Sequence, residues 1–219
     1  MKKGVVLFIS LLFIAAISIL ILKNLEDTDN YISEQNSKFS KTQIMMYLNN
    51  VKDEISNIIS KNQRNKIKSY LNIDYPINLQ GAEITIRLQK YDKYNINLLK
   101  NSDKKSYLYL QSFFESNDIY DIETFKYIIK DNDGIKTNKQ LDELIDVFAK
   151  QTYKNEIYGL KDYLGFINFD KKGINIIDEN EDNIFYELYV KVNYLKQFAK
   201  AYYILNKSGG VEYFELSFK

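Results

Sequence analysis

Cysteine, histidine and tryptophan are all missing from these 219 residues, and proline occurs once, at Pro76. Without cysteine there is no disulfide, no lipid attached at a cysteine and no thiolate metal site. Without histidine the usual general base, the Ser-His and Cys-His nucleophile pairs and the commonest zinc ligand are gone as well. Carboxylates, lysines, tyrosines and hydroxyls remain for chemistry, and they form no recognisable constellation. The chain therefore reads as no enzyme and as requiring no cofactor, with catalysis by carboxylates alone as the distant alternative. Charge of one sign is not in excess either: 30 Lys+Arg stand against 29 Asp+Glu, giving +1 overall, so no global field draws the chain to nucleic acid. A glycine-rich loop of the Walker or dinucleotide type is absent, and no nucleotide is implied.

What the chain does have is a run from Val5 to Leu22 with neither a charge nor a proline, preceded by Met1-Lys2-Lys3-Gly4. At about 1.5 Å per residue this run makes a helix of roughly 27 Å, close to the ~30 Å hydrocarbon core of a bilayer. It is longer than the apolar core of a cleaved secretory signal, and Lys23-Asn24-Leu25-Glu26-Asp27 after it offers no small-x-small site, which favours a retained anchor. Lys2 and Lys3 before the span, against Lys23 alone after it, put the N-terminus in the cytoplasm and the rest of the chain outside.

Lys2-Lys3-Gly4 followed directly by Val5-Val6-Leu7-Phe8-Ile9 resembles a type III signal, the leader that prepilin peptidases cut in type IV pilins and type II secretion pseudopilins. The resemblance implies cleavage between Gly4 and Val5, loss of the leader and retention of the apolar helix. Most members carry glutamate at the fifth residue of the mature chain; here that residue is Ile9. The K-type minor pseudopilin typically lacks this glutamate, so the resemblance narrows to that branch.

Further along, Ile44, Leu48, Val51, Ile55 and Ile58 recur at three- and four-residue steps and share one helical face. Helix is expected to run on from the span, with Asp27-Thr28-Asp29-Asn30 as a point of interruption or a second N-cap, and to stop before Pro76. The period then changes: Ile84, Ile86 and Leu88 alternate with polar neighbours as a half-buried strand. Asn95-Ile96-Asn97-Leu98 follows, and Asn95, Asn97 and Leu98 match a segment found after an early strand in the K-type proteins. Amide side chains there can fix a strand-to-helix turn without any ligand.

Helical spacing returns near Lys105–Glu115, Ile122–Ile129 and Lys139–Tyr153, where a helical domain is inserted in the K-type family. The acidic-tryptophan motifs common in that insertion have no counterpart here. Ile184, Tyr186, Leu188, Val190 and Val192 then alternate as a strand. Two further apolar-aromatic runs, Phe198 to Leu205 and Val211 to Phe218, are joined by Asn206-Lys207-Ser208-Gly209-Gly210, a hairpin signal.

The expected fold is thus α+β: a pilin-like long N-terminal helix packed on an antiparallel sheet, with a small helical insertion between the first strand and the C-terminal strands. In residues, this is a leader over 1–4, a transmembrane helix over 5–22, a stalk helix over 23–75, sheet over 76–101 and 166–219, and the insertion over 102–165.

Two acidic stretches invite a metal. Asp131-Asn132-Asp133-Gly134 is not an EF-hand, because with Gly134 sixth the first and twelfth places fall on Ile129 and Gln140. Asp178, Glu179, Glu181 and Asp182 are a denser cluster whose carboxylates suit calcium chemically, although such runs are usually solvated loop.

The resemblance implies a structural subunit at or near the tip of a type II secretion pseudopilus, held in the inner membrane of a Gram-negative envelope with its C-terminal domain in the periplasm. Its partners would be other pseudopilins through the N-terminal helix, the inner-membrane assembly platform and the prepilin peptidase, with no nucleic acid. The alternatives are a minor pilin of a type IV pilus or DNA-uptake competence system, and an unrelated signal-anchored envelope binding protein.

Overall fold

A computed structural model of the chain describes residues 2–61, 67, 69–100, 104–131, 134–167 and 184–219. Its first element is one unbroken helix, α1, Lys2–Ser60. No glycine or proline falls between Val5 and Ser60, which is the composition an uninterrupted helix needs. The polar stretch at Asp27 to Asn30 does not interrupt it: the Thr28 hydroxyl donates to the Asn24 carbonyl one turn back, at 2.7 Å, so the side chain competes for no cap.

The unbroken helix α1 stops at Ser60, helix is again present at Ile67, Ser69 and Tyr70, and Pro76 lies inside a strand, so the helical stretch ends some residues short of the expected limit at residue 75. That strand, β1 (Asp74–Leu79), pairs antiparallel with β2 (Ala82–Lys90) through a tight turn in which Gln80 and Gly81 both have positive φ, 49° and 81°. β1 is an edge strand, the one place in a sheet where a residue without an N–H is readily accommodated. So the strand around Ile84 is the second of the sheet, and the sheet has five strands where three C-terminal ones and one early one were expected. With β5 (Phe185–Tyr194), β6 (Gln197–Asn206) and β7 (Val211–Phe218), the order is β1-β2-β5-β6-β7, every neighbour antiparallel.

The upper part of α1 lies on one face of this sheet. Ile44, Tyr47, Leu48 and Ile59 are buried against Ile84, Ile86 and Leu88 of β2, Leu188, Val190 and Val192 of β5, and Ala199, Ala201, Tyr203 and Leu205 of β6; Val51, Ile55 and Ile58 pack at the margin. Small residues at Ala199 and Ala201 leave room for the helix. The β6–β7 turn comes so close that a Cβ on Gly209 would meet the Ser56 carbonyl oxygen at 2.4 Å.

Between β2 and β5 the chain builds a second body. A short strand, β3 (Tyr94–Asn95), and a 3-10 turn over Ile96–Leu99 lead into α2 (Lys104–Glu115), α3 (Ile122–Asp131), α4 (Asn138–Thr152) and α5 (Ile157–Leu160). β4 (Leu164–Gly165) then returns beside β3 in a parallel pair. This body has its own core: Phe114, Phe125 and Phe148 are fully buried, with the last two rings stacked 3.7 Å apart. Ile96 and Leu99 belong to that core, so the stretch 96–99 is part of the helical body although it was assigned to the sheet from sequence.

Candidate functional site

Three places stand out on this frame: the free part of α1, the turn at Asn95–Asn97, and a buried carboxylate on the far face of the sheet.

Every side chain from Leu7 to Asn36 is exposed, and from Leu7 onward Ser40 is the first buried residue of the helix. Gly4 and Val5 lie within α1, and Ile9 is 48% exposed along the apolar run. The helix is long and apolar enough to cross a membrane, and none of that apolar window is buried within the protein. From Lys23 to Phe39 a further 17 residues, about 25 Å of helix, stand free between the span and the head. This free segment is not uniformly polar. Leu25, Ile32, Phe39 and Met46 are 57%, 50%, 52% and 43% exposed and recur every seven residues, a spacing that keeps them within about 20° per step on one face. Met46 sits two residues from both Ile44 and Leu48, each fully buried against the sheet, so two steps of ~100° turn the stripe to the back of the helix. The apolar surface of the span therefore continues upward on the side away from the head.

At the turn, Asn95 is buried and its side-chain oxygen accepts from the Asn97 N–H at 3.0 Å, the cap that starts the 3-10 turn. Asn97 reaches across chain: its Nδ2 donates to the carbonyls of Ile135 and Phe166, at 2.7 and 3.2 Å, and its Oδ1 accepts from the Ile135 N–H at 2.7 Å. Leu98 packs against the helical core. These side chains spend their hydrogen bonds on the protein's own backbone, which makes the turn a structural tie. The loop end it ties is at Gly134, whose φ of +89° and close approach to Asn97 Oδ1 leave no ordinary place for a Cβ.

The third place has no counterpart in the sequence reading. Glu187 of β5 is 1% exposed on the face opposite α1. Its carboxylate accepts from Tyr202 OH at 2.5 Å and from Gln89 Nε2, and pairs with Lys93 Nζ at 3.0 Å. Gln89 is directly opposite Glu187 in the β2–β5 register, while Tyr202 comes from β6 and Lys93 from the connector into the helical body. Burial, and then the Glu187 charge, push the hydroxyls of Tyr91, Tyr189 and Tyr202 far above the ordinary phenol range, so they remain protonated around the carboxylate. Tyr91 is wedged beside Gly165, where a Cβ would meet its hydroxyl at 2.0 Å.

Strict alternation along β5 assigns Glu187 to solvent, because Tyr186 and Leu188 on either side face the α1 core. The available hint was its company on that second face, where Phe185 and Tyr189 flank it, a pattern unusual for a wet surface.

Among the described residues no group of three or more acidic side chains is arranged to hold a metal ion. Asp178, Glu179, Glu181 and Asp182 lie outside the described residues. Comparison with known proteins returned no similarity: no family model, curated protein or solved structure matches this chain.

Proposed function

We propose that this chain is a minor pseudopilin of the K type, a structural subunit at or near the tip of a type II secretion pseudopilus. The observation that carries the reading is the free helix. A head held about 25 Å beyond a membrane-length apolar helix, by a segment whose exposed apolar stripe faces away from the head, is built to lie alongside other helices. A mere tether has no use for Ile32 and Phe39 in water.

On this reading the leader Met1 to Gly4 is removed on the cytoplasmic side of the inner membrane, the head folds in the periplasm, and an assembly platform draws the subunit out of the bilayer. Neighbouring subunits then cover the span and the stripe Leu25, Ile32, Phe39. Ile9, standing where most pilins have glutamate, cannot pair with the free N-terminus of a neighbour. A subunit missing that partner suits the end of a filament. The work is mechanical, and no cofactor enters it.

The deciding measurement is intact mass of the membrane-extracted protein, made with and without its cognate prepilin peptidase. Loss of Met1 to Gly4 that is abolished by Gly4→Ala or by removing the peptidase supports the reading. An N-terminus unchanged in both strains overturns it and leaves an anchored envelope domain. Disulfide trapping of Ile32→Cys against a single cysteine introduced into the N-terminal helix of each candidate neighbour, in secretion-, pilus- and competence-system backgrounds, then identifies the filament; this chain has no native cysteine to give a competing disulfide.

A further inference from the structure

We propose that the outer edge of β7 is a strand-accepting site, completed by an extended segment of another protein that pairs antiparallel with Phe214 to Phe218. The sheet has two edges, and they differ. At the end of β7 the Lys219 N–H and C=O both bond to Phe198, at 2.9 and 3.3 Å. An antiparallel ladder alternates, so Ser217, Glu215 and Tyr213 also spend their backbone groups on β6, while those of Phe214, Leu216 and Phe218 point outward. Among the described residues nothing bonds to these outward groups. On the opposite side of the sheet the Tyr91 N–H bonds to Phe185 at 2.9 Å, which fixes the same alternation along β2 and turns Asp74, Pro76 and Asn78 of β1 outward. Pro76 has no N–H to offer, so β1 carries its own guard against pairing. β7 has none: it is eight residues long without proline or lysine, and Val211 and Phe214 are 45% and 44% exposed.

A second copy of the chain does not fit this edge. α1 passes from Tyr194, beside Tyr47, to Gly209, beside Ser56, so it runs along the strands. Two β7 edges paired antiparallel are related by a two-fold axis normal to the sheet, which would point their α1 helices in opposite directions, whereas anchors in one membrane run the same way. The β1 edge of a second copy would lie parallel to β7 and present Pro76 at its middle. This exclusion rests on α1 serving as a membrane anchor; the accepting edge itself rests on the ladder and is independent of the filament reading. The occupant is therefore a segment of a different chain, and the two faces of β7 define its chemistry. On the α1 side Phe214 stacks on Tyr203, centroids 4.7 Å apart, and Leu216 and Phe218 pack at the margin of the core, so alternate side chains of the partner are apolar. On the other side Glu215 accepts from Asn138 Nδ2 and Tyr213 OH, at 2.8 and 3.1 Å, and forms no ion pair among the described residues, so the partner side chain there is basic. Main-chain bonds supply the affinity of such a pairing and the alternation supplies its specificity.

The test uses the full-length chain, isotope-labelled in detergent micelles, and a synthetic peptide as long as β7 that alternates valine with lysine and threonine. Amide exchange of Phe214, Leu216 and Phe218 is read by nuclear magnetic resonance without and with the peptide. These amides should exchange freely in the parent and slow by about tenfold or more with the peptide bound, whereas those of Asp74 and Asn78 on the guarded edge should not change. A peptide N-methylated on its pairing side should give no protection. Phe214→Pro, which removes an outward N–H and leaves the bonds to β6 in place, should abolish protection as well; should that variant fail to fold, the N-methylated peptide still decides. Amides already protected without peptide, whether in a monomer or in a dimer of this chain, overturn the proposal. So does protection that survives N-methylation, or its absence at every soluble peptide concentration.

Discussion

Asn97 grips Ile135 by both backbone groups, accepting its N–H and donating to its carbonyl, each at 2.7 Å, across 38 residues of sequence. Ile135 is 3% exposed, so water cannot replace either bond. Asn97→Leu leaves a buried donor and a buried acceptor without partners and should cost about 3 kcal/mol in chemical denaturation of the detergent-solubilised chain. Asn97→Asp keeps the acceptor and loses the donor, so it should fall between the parent and the leucine variant. Equal stability of parent and leucine variant would show that the tie contributes nothing.

Two glycines of the helical body should respond to alanine in opposite directions. A methyl on Gly165 would collide with the Tyr91 hydroxyl at 2.0 Å and crowd Lys93, so Gly165→Ala should destabilise by about 2 kcal/mol or more and disturb the ring next to Glu187. Gly159 lies in α5 with open space around the added methyl and no positive φ; Gly159→Ala should raise stability by about 0.5 kcal/mol. Paired thermal melts separate the two, and a shared sign refutes the packing argument.

Stability should fall above pH 10. In the unfolded chain a tyrosine ionises near 10, whereas burial and Glu187 keep Tyr91 and Tyr202 protonated in the fold. Their folded values are raised, so the stabilisation is whole below pH 10 and is lost as pH rises, by at most about 1.4 kcal/mol per pH unit for each of these two groups. Tyr203, pushed up to about 12 by burial and then by Asp53, adds to the same trend. Urea unfolding between pH 8 and 11.5 should show the slope, and Tyr202→Phe should flatten it. A level profile contradicts the burial of these hydroxyls.

On the proposed pseudopilin reading, charge placed on the stripe should spare the fold and abolish assembly. Ile32 and Phe39 are half exposed and belong to neither core, so Ile32→Asp and Phe39→Asp should shift the melting temperature of the head by no more than a surface substitution does. Crosslinking to neighbouring subunits should be lost, because a carboxylate would have to be desolvated between helices. Undiminished assembly of both variants would place the partner on another face.

Several features were readable from the chain before any coordinates. The uncharged run Val5–Leu22, the periodic stripe Ile44, Leu48, Val51, Ile55, Ile58, the alternation around Ile84 and Val190 and the Asn206–Gly210 hairpin are local signals, each written in the spacing of a few neighbouring side chains. The end of α1 is not legible in the sequence, because Pro76 suits a helix stop and an edge strand alike, and edge status depends on which strand has no second neighbour. The burial of Glu187 is hidden for a related reason: alternation tells which residues share a face, and does not tell that a connector and a ring file cover the second face.

The sequence by itself determined the elements: an apolar helix of membrane length running on without a breaker into an amphipathic stalk, strands of period two, and the absence of thiol and imidazole chemistry. Those follow from residue size, branching and polarity acting over one or two turns of chain. The tertiary structure alone decided that Met46 and Phe39 face away from the head, that Asn97 holds Ile135, and that Glu187 is buried with Lys93 beside it. The first depends on which helical face the sheet covers, and the other two on groups 38 to 98 residues apart, which only packing brings within hydrogen-bonding reach.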